Sequence, residues 1–230
     1  PGEIFFTSGG TESSNTAITA SVRDLGCGHV ITSPIEHHAT LHTAENIAKS
    51  GQARLSFVDL TENGQVDLTH LESLLADSPE KTLVTLMHAN NEIGNLLDVA
   101  AVGELCKKYG ALFHCDMVQT IGHYPIDLRS LHIHFASSAG HKFHGPKGVG
   151  ILFINEEIKI HPMLNGGAQE RNMRAGTENL YGIVGYAKAL ELAMQKQQED
   201  SDYVRGLKDY MAQKVTESFP GATINGENGS

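Results

Sequence analysis

The sequence is poor in cysteine, in positive charge and in long apolar stretches. Its three cysteines, Cys27, Cys106 and Cys115, show no C-x-x-C spacing. That excludes a disulfide framework and makes a reducing, cytoplasmic setting the simplest reading. Lys and Arg number 17 against 27 Asp and Glu, for a net charge of −10. Such a balance argues against nucleic acid and against an acidic membrane surface as partners. No apolar run approaches the length of a membrane span, and no signal peptide is visible. Internal repeats and low-complexity tracts are also missing. The opening Pro-Gly-Glu and the closing stretch from Asn225 to Ser230 read as cuts within a longer chain.

What is present suffices for one large domain: 230 residues, 40% of them hydrophobic. Residues 1–220 read as that domain, and 221–230 as the start of a truncated C-terminal segment. Glu3 to Thr7 is apolar and β-rich, and Ser8-Gly9-Gly10-Thr11 leads into a helix from about Glu12 to Leu25. Strands are expected at His29–Ser33, Ala53–Val58, Thr82–Met87 and Ala111–Cys115. Helices are expected at His37–Ser50, Asp67–Asp77 and Val99–Tyr109. The few polar interruptions in Thr82–Met87 suit a strand covered on both faces. Further strands are expected at His132–Ala136 and Val149–Ile154. Asn165 to Asn179 reads as a long polar loop without a local partner. A helix follows from about Gly182 to Phe219, with a break near Asp202. Strands alternating with helices imply an α/β fold, a mostly parallel central sheet with helices on both faces. Ligands of such sheets bind at the carboxyl ends of the strands, where the polar motifs fall.

The segment from Ser137 to Gly150 reads SSAGHKFHGPKGVG. Its glycines permit tight turns and close approach to a ligand. It lacks the G-x-x-x-x-G-K-[ST] spacing of a phosphate-binding loop. Lys142 sits at a strand exit, where partial burial is expected to lower its pKa and make it an amine nucleophile. The Ser8–Glu12 turn offers free N–H groups and a favourable helix dipole to an anion. Asp116 ends a strand, and His37 opens a helix. Taken singly, each has a structural reading: a helix cap for Asp116 and for Gly10–Thr11, an ordinary helix-opening residue for His37.

Together, these strings resemble the cysteine desulfurases, fold-type I pyridoxal-phosphate enzymes related to the class V aminotransferases. The match of AGHKFHGPKGVG is nearly residue for residue. The resemblance implies that Lys142 binds the aldehyde of pyridoxal 5'-phosphate and that Asp116 holds its pyridine nitrogen, with Gln119 on the ring oxygen. It implies a phosphate cradle from Gly10, Thr11 and His141, ring stacking and proton transfer by His37, and a cofactor and substrate contact from Asn91. Thr177, in the string RAGTEN, would reach the phosphate of a partner subunit, which implies a homodimer. The family usually has serine at the position of Ala139, so Ser138 is the expected substitute. The implied reaction takes sulfur from L-cysteine, leaving alanine and an enzyme persulfide for acceptors such as iron–sulfur scaffolds. The nucleophilic cysteine and the carboxylate-binding arginine would lie outside this chain, which makes it an inactive fragment by itself. Cys115 should point away from Asp116 on its strand.

Selenocysteine lyase or aminotransferase chemistry on the same scaffold remains open. So does a non-catalytic metal-binding or regulatory domain, suggested by 13 histidines and by the His38 and His42 spacing. His-Glu-x-x-His is absent, and the sequence assigns no metal ligands.

Overall fold

The computed structural model describes residues 2–225. Its strands form one sheet in the order β1-β7-β6-β5-β4-β2-β3. These are β1 (Ile4–Thr7), β2 (His29–Thr32), β3 (Arg54–Phe57), β4 (Thr82–Met87), β5 (Leu112–Asp116), β6 (Phe135–Ala139) and β7 (Gly150–Ile154). Only β7 runs against the rest, pairing antiparallel with β1 and with β6. The other pairs, β2 with β3 and β4, β4 with β5, and β5 with β6, are parallel. The mostly parallel α/β sheet expected from the alternation is therefore present.

Helices α1 (Gly10–Arg23), α2 (His38–Lys49), α3 (Leu68–Ala76) and α4 (Val99–Tyr109) cover it. Side-chain alternation along the strands assigns the faces. Leu83 of β4 and Leu112 of β5 pack with Ile18 of α1 and Ile47 of α2. Val84 and Leu86 of β4, with Phe113 and Cys115 of β5, pack against Leu71 and Leu75 of α3 and Val102 and Cys106 of α4. Every residue of β4 is buried, as double coverage requires. Asp67 and Asp98 cap α3 and α4 with their carboxylates, and Gly110 ends α4 in the left-handed conformation that glycine adopts without strain.

Three expectations need correcting. The strand expected at His132–Ala136 lies three residues later at its C-terminal end, at Phe135–Ala139. The last helix, α6 (Leu180–Ser218), runs unbroken past Asp202. The loop Asn165–Asn179 does not stand free: its short turn α5 (Gln169–Asn172) is fastened to β1, far away in the chain. Of the C-terminal segment expected at 221–230, residues 226–230 lie outside the described residues, as does Pro1. No helix among the described residues is long and apolar enough to cross a membrane.

Candidate active site

The carboxyl ends of β1, β2, β4, β5 and β6 share one edge of the sheet, and the predicted residues follow them. After β1, Gly9 takes the N-cap position of α1 without a side-chain cap. The first amide to bond back is that of Ser13, to Gly9 O at 3.1 Å. The N–H groups of Gly10, Thr11 and Glu12 thus precede any helical acceptor, the condition for an anion site. A Cβ on Gly10 would stand 2.5 Å from Val118 Cγ2 and 3.8 Å from Ala139 Cβ. The α1 turn therefore abuts the turn that follows β5 and the C-terminal end of β6. Side chains other than hydrogen at position 10 would press into Val118.

Asp116 is buried and its Oδ1 accepts the Val118 N–H at 3.0 Å. Burial pushes its carboxyl up, while the Val118 bond and the nearby charges of His37 and Lys142 pull it back. The two predicted catalytic side chains are therefore within electrostatic reach of the predicted ring partner. His37 is the N-cap of α2, exposed, with Nδ1 accepting Ala39 N–H at 3.1 Å. That bond leaves Nε2 as the ring atom able to carry a proton. Lys142 lies in the 3-10 turn Gly140–Phe143, whose backbone is held by a 2.9 Å contact between His123 Nε2 and Lys142 O. The expected partial burial of Lys142 is not found: the side chain is exposed. His141 beside it is exposed too, with its pKa lowered by burial and by the charges of Lys142 and Lys147.

Ser138 does not substitute at the cradle. On β6, Phe135, Ser137 and Ala139 face α1, so Ser138 faces the other way. It is buried there and its Oγ accepts the Tyr186 hydroxyl at 2.9 Å. The family's serine position is simply Ala139, on the Gly10 side. Cys115 does point away from Asp116, into the α3–α4 core. Asn91 and Thr177 stand apart from these contacts. Asn91 is exposed and donates to Glu92 Oε1 at 2.7 Å, while Thr177 is exposed on its loop. Gln119 is half-buried and lines a cleft of about 1200 Å³, bounded also by His123, Tyr124 and the α6 residues Leu192 and Val204; Asp116 does not line it.

Sequence reasoning missed two groups at this edge. Glu36, one residue before His37, is buried, with Oε1 accepting from Ser33 Oγ at 2.7 Å and Oε2 without a partner among the described residues. Burial pushes its carboxyl up to about 8, opposed by the Ser33 bond and reinforced by Asp116. His88, whose backbone N–H donates to Asp116 O at 2.9 Å, has its pKa lowered by burial, and its Nδ1 has no partner among the described residues. The signal for Glu36 was a lone acid inside the strand-to-helix turn Ser33–His37. Beneath the edge, Ser14 Oγ donates to Ser137 Oγ at 3.1 Å. Ser137 meets His114 Nε2 at 2.8 Å, and His114 Nδ1 meets Thr85 Oγ1 at 2.7 Å.

The family model for aminotransferase class-V matches residues 1–229. Cysteine desulfurase IscS of Clostridium botulinum is 42% identical over 226 residues, 97% of this chain and 56% of that protein. The chain thus spans little more than half the length of such relatives. Among solved structures, a NifS-like protein superposes with TM-score 0.89 at 39% identity, over 94% of this chain and 60% of that one. SspA, solved in complex with cysteine, superposes with TM-score 0.78 at 33% identity, over 83% of this chain and 55% of that one.

Proposed function

The chain belongs to the class-V aminotransferase family, and from that premise we propose that its sheet edge holds pyridoxal 5'-phosphate for the removal of sulfur from L-cysteine. One observation carries the reading. A buried acid, Asp116, ends β5 within charge reach of Lys142 and His37, beside a helix N-terminus that has no side-chain cap. The donor set fits the group: an amine for an aldehyde, a carboxylate for a pyridine nitrogen, backbone amides for a phosphate. Bound there, the cofactor would supply a ring that takes up electrons from the substrate's Cα.

The chain's own residues do the rest. Asp116, buried at the end of β5, would face the pyridine nitrogen and favour its protonated form. Gly10 lets the α1 turn approach closely, and Thr11, His141 and the first α1 amides would hold the phosphate. Lys142 Nζ, an exposed amine, would hold the cofactor's aldehyde carbon. His37 Nε2 would carry a proton beside the ring, and Gln119 and Asn91 are assigned to the cofactor by the family resemblance alone, since neither joins the contacts around Asp116. Thr177 would serve a second copy of the chain in a homodimer.

Sulfur transfer then needs a thiolate that attacks the substrate sulfur and breaks its bond to Cβ. Cβ takes a proton, alanine leaves, and the extra sulfur stays on the enzyme as a persulfide for acceptors such as iron–sulfur scaffolds. The thiols described here do not suit that step. Burial pushes Cys27 up to about 11 and Cys106 up to about 12, and Cys115 well above the usual range. The nucleophile therefore belongs to residues other than these three. The same site would serve a selenocysteine lyase or an aminotransferase, and turnover on L-cysteine separates them. For the metal-binding alternative, no group of three His, Cys, Asp or Glu side chains among the described residues is placed to hold an ion.

The test is to add pyridoxal 5'-phosphate, record the visible band, reduce with borohydride and map the label. The label is expected on Lys142; label on Lys147 or on no lysine would overturn the assignment. Asp116→Asn should keep the label but slow exchange of the substrate's α-proton with solvent, because the ring nitrogen loses its charge partner. With L-cysteine and a reductant, the 230-residue chain should release neither sulfide nor alanine catalytically. Multiple-turnover release of both would mean that Cys27 or Cys115 becomes accessible.

A further inference from the structure

Strand β1 is an edge strand, bonded to β7 on one side only. Its outer side presents the Phe6 N–H and the Ile4 carbonyl, which ordinarily need water or another strand. Two side chains of the turn after β7 occupy them. Glu170 Oε2 accepts from Phe6 N at 2.9 Å, and Arg171 Nη2 donates to Ile4 O at 2.6 Å. The Arg171 guanidinium also lies 4.3 Å from the Phe5 ring centroid. The backbone that brings them there is left-handed at three successive residues, with φ of 46° at Glu170, 57° at Arg171 and 68° at Asn172. Non-glycine residues hold that conformation at a cost, which persists only where surrounding contacts impose it.

Three residues beyond Arg171, Arg174 forks onto Glu12. Nε meets Oε1 at 2.9 Å, Nη2 meets Oε2 at 3.1 Å, and Nη1 donates to Ala175 O at 3.2 Å. Glu12 lies in the first turn of α1, its side chain only 10% exposed. Its Oε2 also accepts the Ser8 N–H at 2.9 Å. One carboxylate thus holds both the turn that precedes α1 and the loop that carries Thr177. Burial raises the Glu12 carboxyl, but the bonds from Arg174 and Ser8 outweigh it and leave it below its ordinary value. Glu12 is therefore an anion one residue from Thr11, at the place proposed for a phosphate. Unpaired, it would repel a dianion; forked by Arg174, it is neutralised while still orienting the turn.

We propose that Glu12 and Arg174 are positioning residues for the phosphate of the cofactor, the arginine cancelling the carboxylate that braces the Ser8–Gly10 turn and fixing the Thr177 loop to it. This rests on the reading of the site given above. Neither residue needs to touch the phosphate: Arg174 acts through Glu12, and Glu12 through the Ser8 amide.

The experiment compares two ligands on the purified chain, pyridoxal 5'-phosphate and pyridoxal, which lacks the phosphate. Binding is read by absorbance and by protein fluorescence, without turnover. In Arg174→Gln, the phosphorylated ligand should weaken about tenfold, from the exposed Glu12 charge, and pyridoxal by less than about threefold. Glu12→Gln combined with Arg174→Gln should recover much of that loss, because the repelling charge is gone. Arg174→Lys keeps the charge and should hold the preference for phosphate nearly intact. Hydrogen exchange should quicken at Ser8 and over 173–179 together in Glu12→Gln. Equal weakening of both ligands in Arg174→Gln, with no recovery in the double variant, would overturn the inference and leave the pair a structural brace. A parent chain that binds pyridoxal as well as its phosphate would overturn the cofactor reading itself, and this inference with it.

Discussion

The two faces of the central strands are built from different chemistry. Towards α3 and α4, strands β4, β5 and β6 present Val84, Leu86, Phe113, Cys115 and Ala136, all in one apolar core. Towards α1, the same strands begin apolar, with Leu83, Leu112 and Phe135. Midway they turn polar, with Thr85, His114 and Ser137 joined in one hydrogen-bonded row to Ser14. That face then reaches the carboxyl edge at Asp116. Stability is thus concentrated on one face, whereas the other grades from packing to polar order to a charged site. A buried polar row of this kind is tolerable only when every member is satisfied, and here both ring nitrogens of His114 are.

Phe113→Ala should break the comparison most heavily. Phe113 is fully buried in the apolar face, and its truncation should cost about 3–5 kcal/mol in chemical denaturation. It should leave the affinity for pyridoxal phosphate unchanged in the protein that still folds. A loss below about 1 kcal/mol would mean that this face is not the main store of stability. Ser137→Ala should cost about 2 kcal/mol, by stranding His114 Nε2 and Ser14 Oγ, although it removes only one oxygen. A neutral result would mean that the row is not a working hydrogen-bond chain.

The apolar face was legible in the sequence and the polar face was not. β4 and α4 lie where periodicity places them, because continuous apolar runs and a helical stripe leave little choice. β6 was placed too early because Ser137 and Ser138 read as turn residues. Inside the fold their hydroxyls find His114, Ser14 and Tyr186, partners far away in the chain. The same distance hid the fastening of 165–179 onto β1 and Glu12, a separation of more than 150 residues. At the proposed site, Lys142, Asp116 and His37 could be proposed because they lie in local strings at strand ends. Glu36 was not, since its role depends on burial beside Asp116 rather than on spacing. The cradle position of Ser138 failed for a simple reason: a one-residue shift on a strand reverses the face.

The smallest effect sharpens the comparison through pH. Two groups on the polar side hold unusual protonation states in opposite senses. His114 is fully buried, and burial lowers its pKa to about 3. In the unfolded chain a histidine titrates near ~6.5, so between about pH 3 and 6.5 only the unfolded state takes up that proton. His114 therefore adds stability as pH rises through this window, and loses it on acidification. Glu36 does the reverse. Its folded pKa of about 8 exceeds the unfolded carboxyl value, so the folded state keeps a proton that the unfolded state releases. Its stabilising contribution is complete below about pH 4.5 and declines as pH rises towards 8. Between pH 5 and 6 the two slopes oppose, each of about 1.4 kcal/mol per pH unit if fully expressed. Glu36→Gln should thus make the slope of stability against pH more positive than in the parent, and His114→Gln should make it more negative. Urea denaturation at pH 5.0, 5.5 and 6.0 reads the slopes directly, independently of the constant cost of each substitution. Parallel lines for all three proteins would show that these two groups titrate in the fold as they do in the open chain. The polar face would then be a wet surface rather than a buried, ordered one.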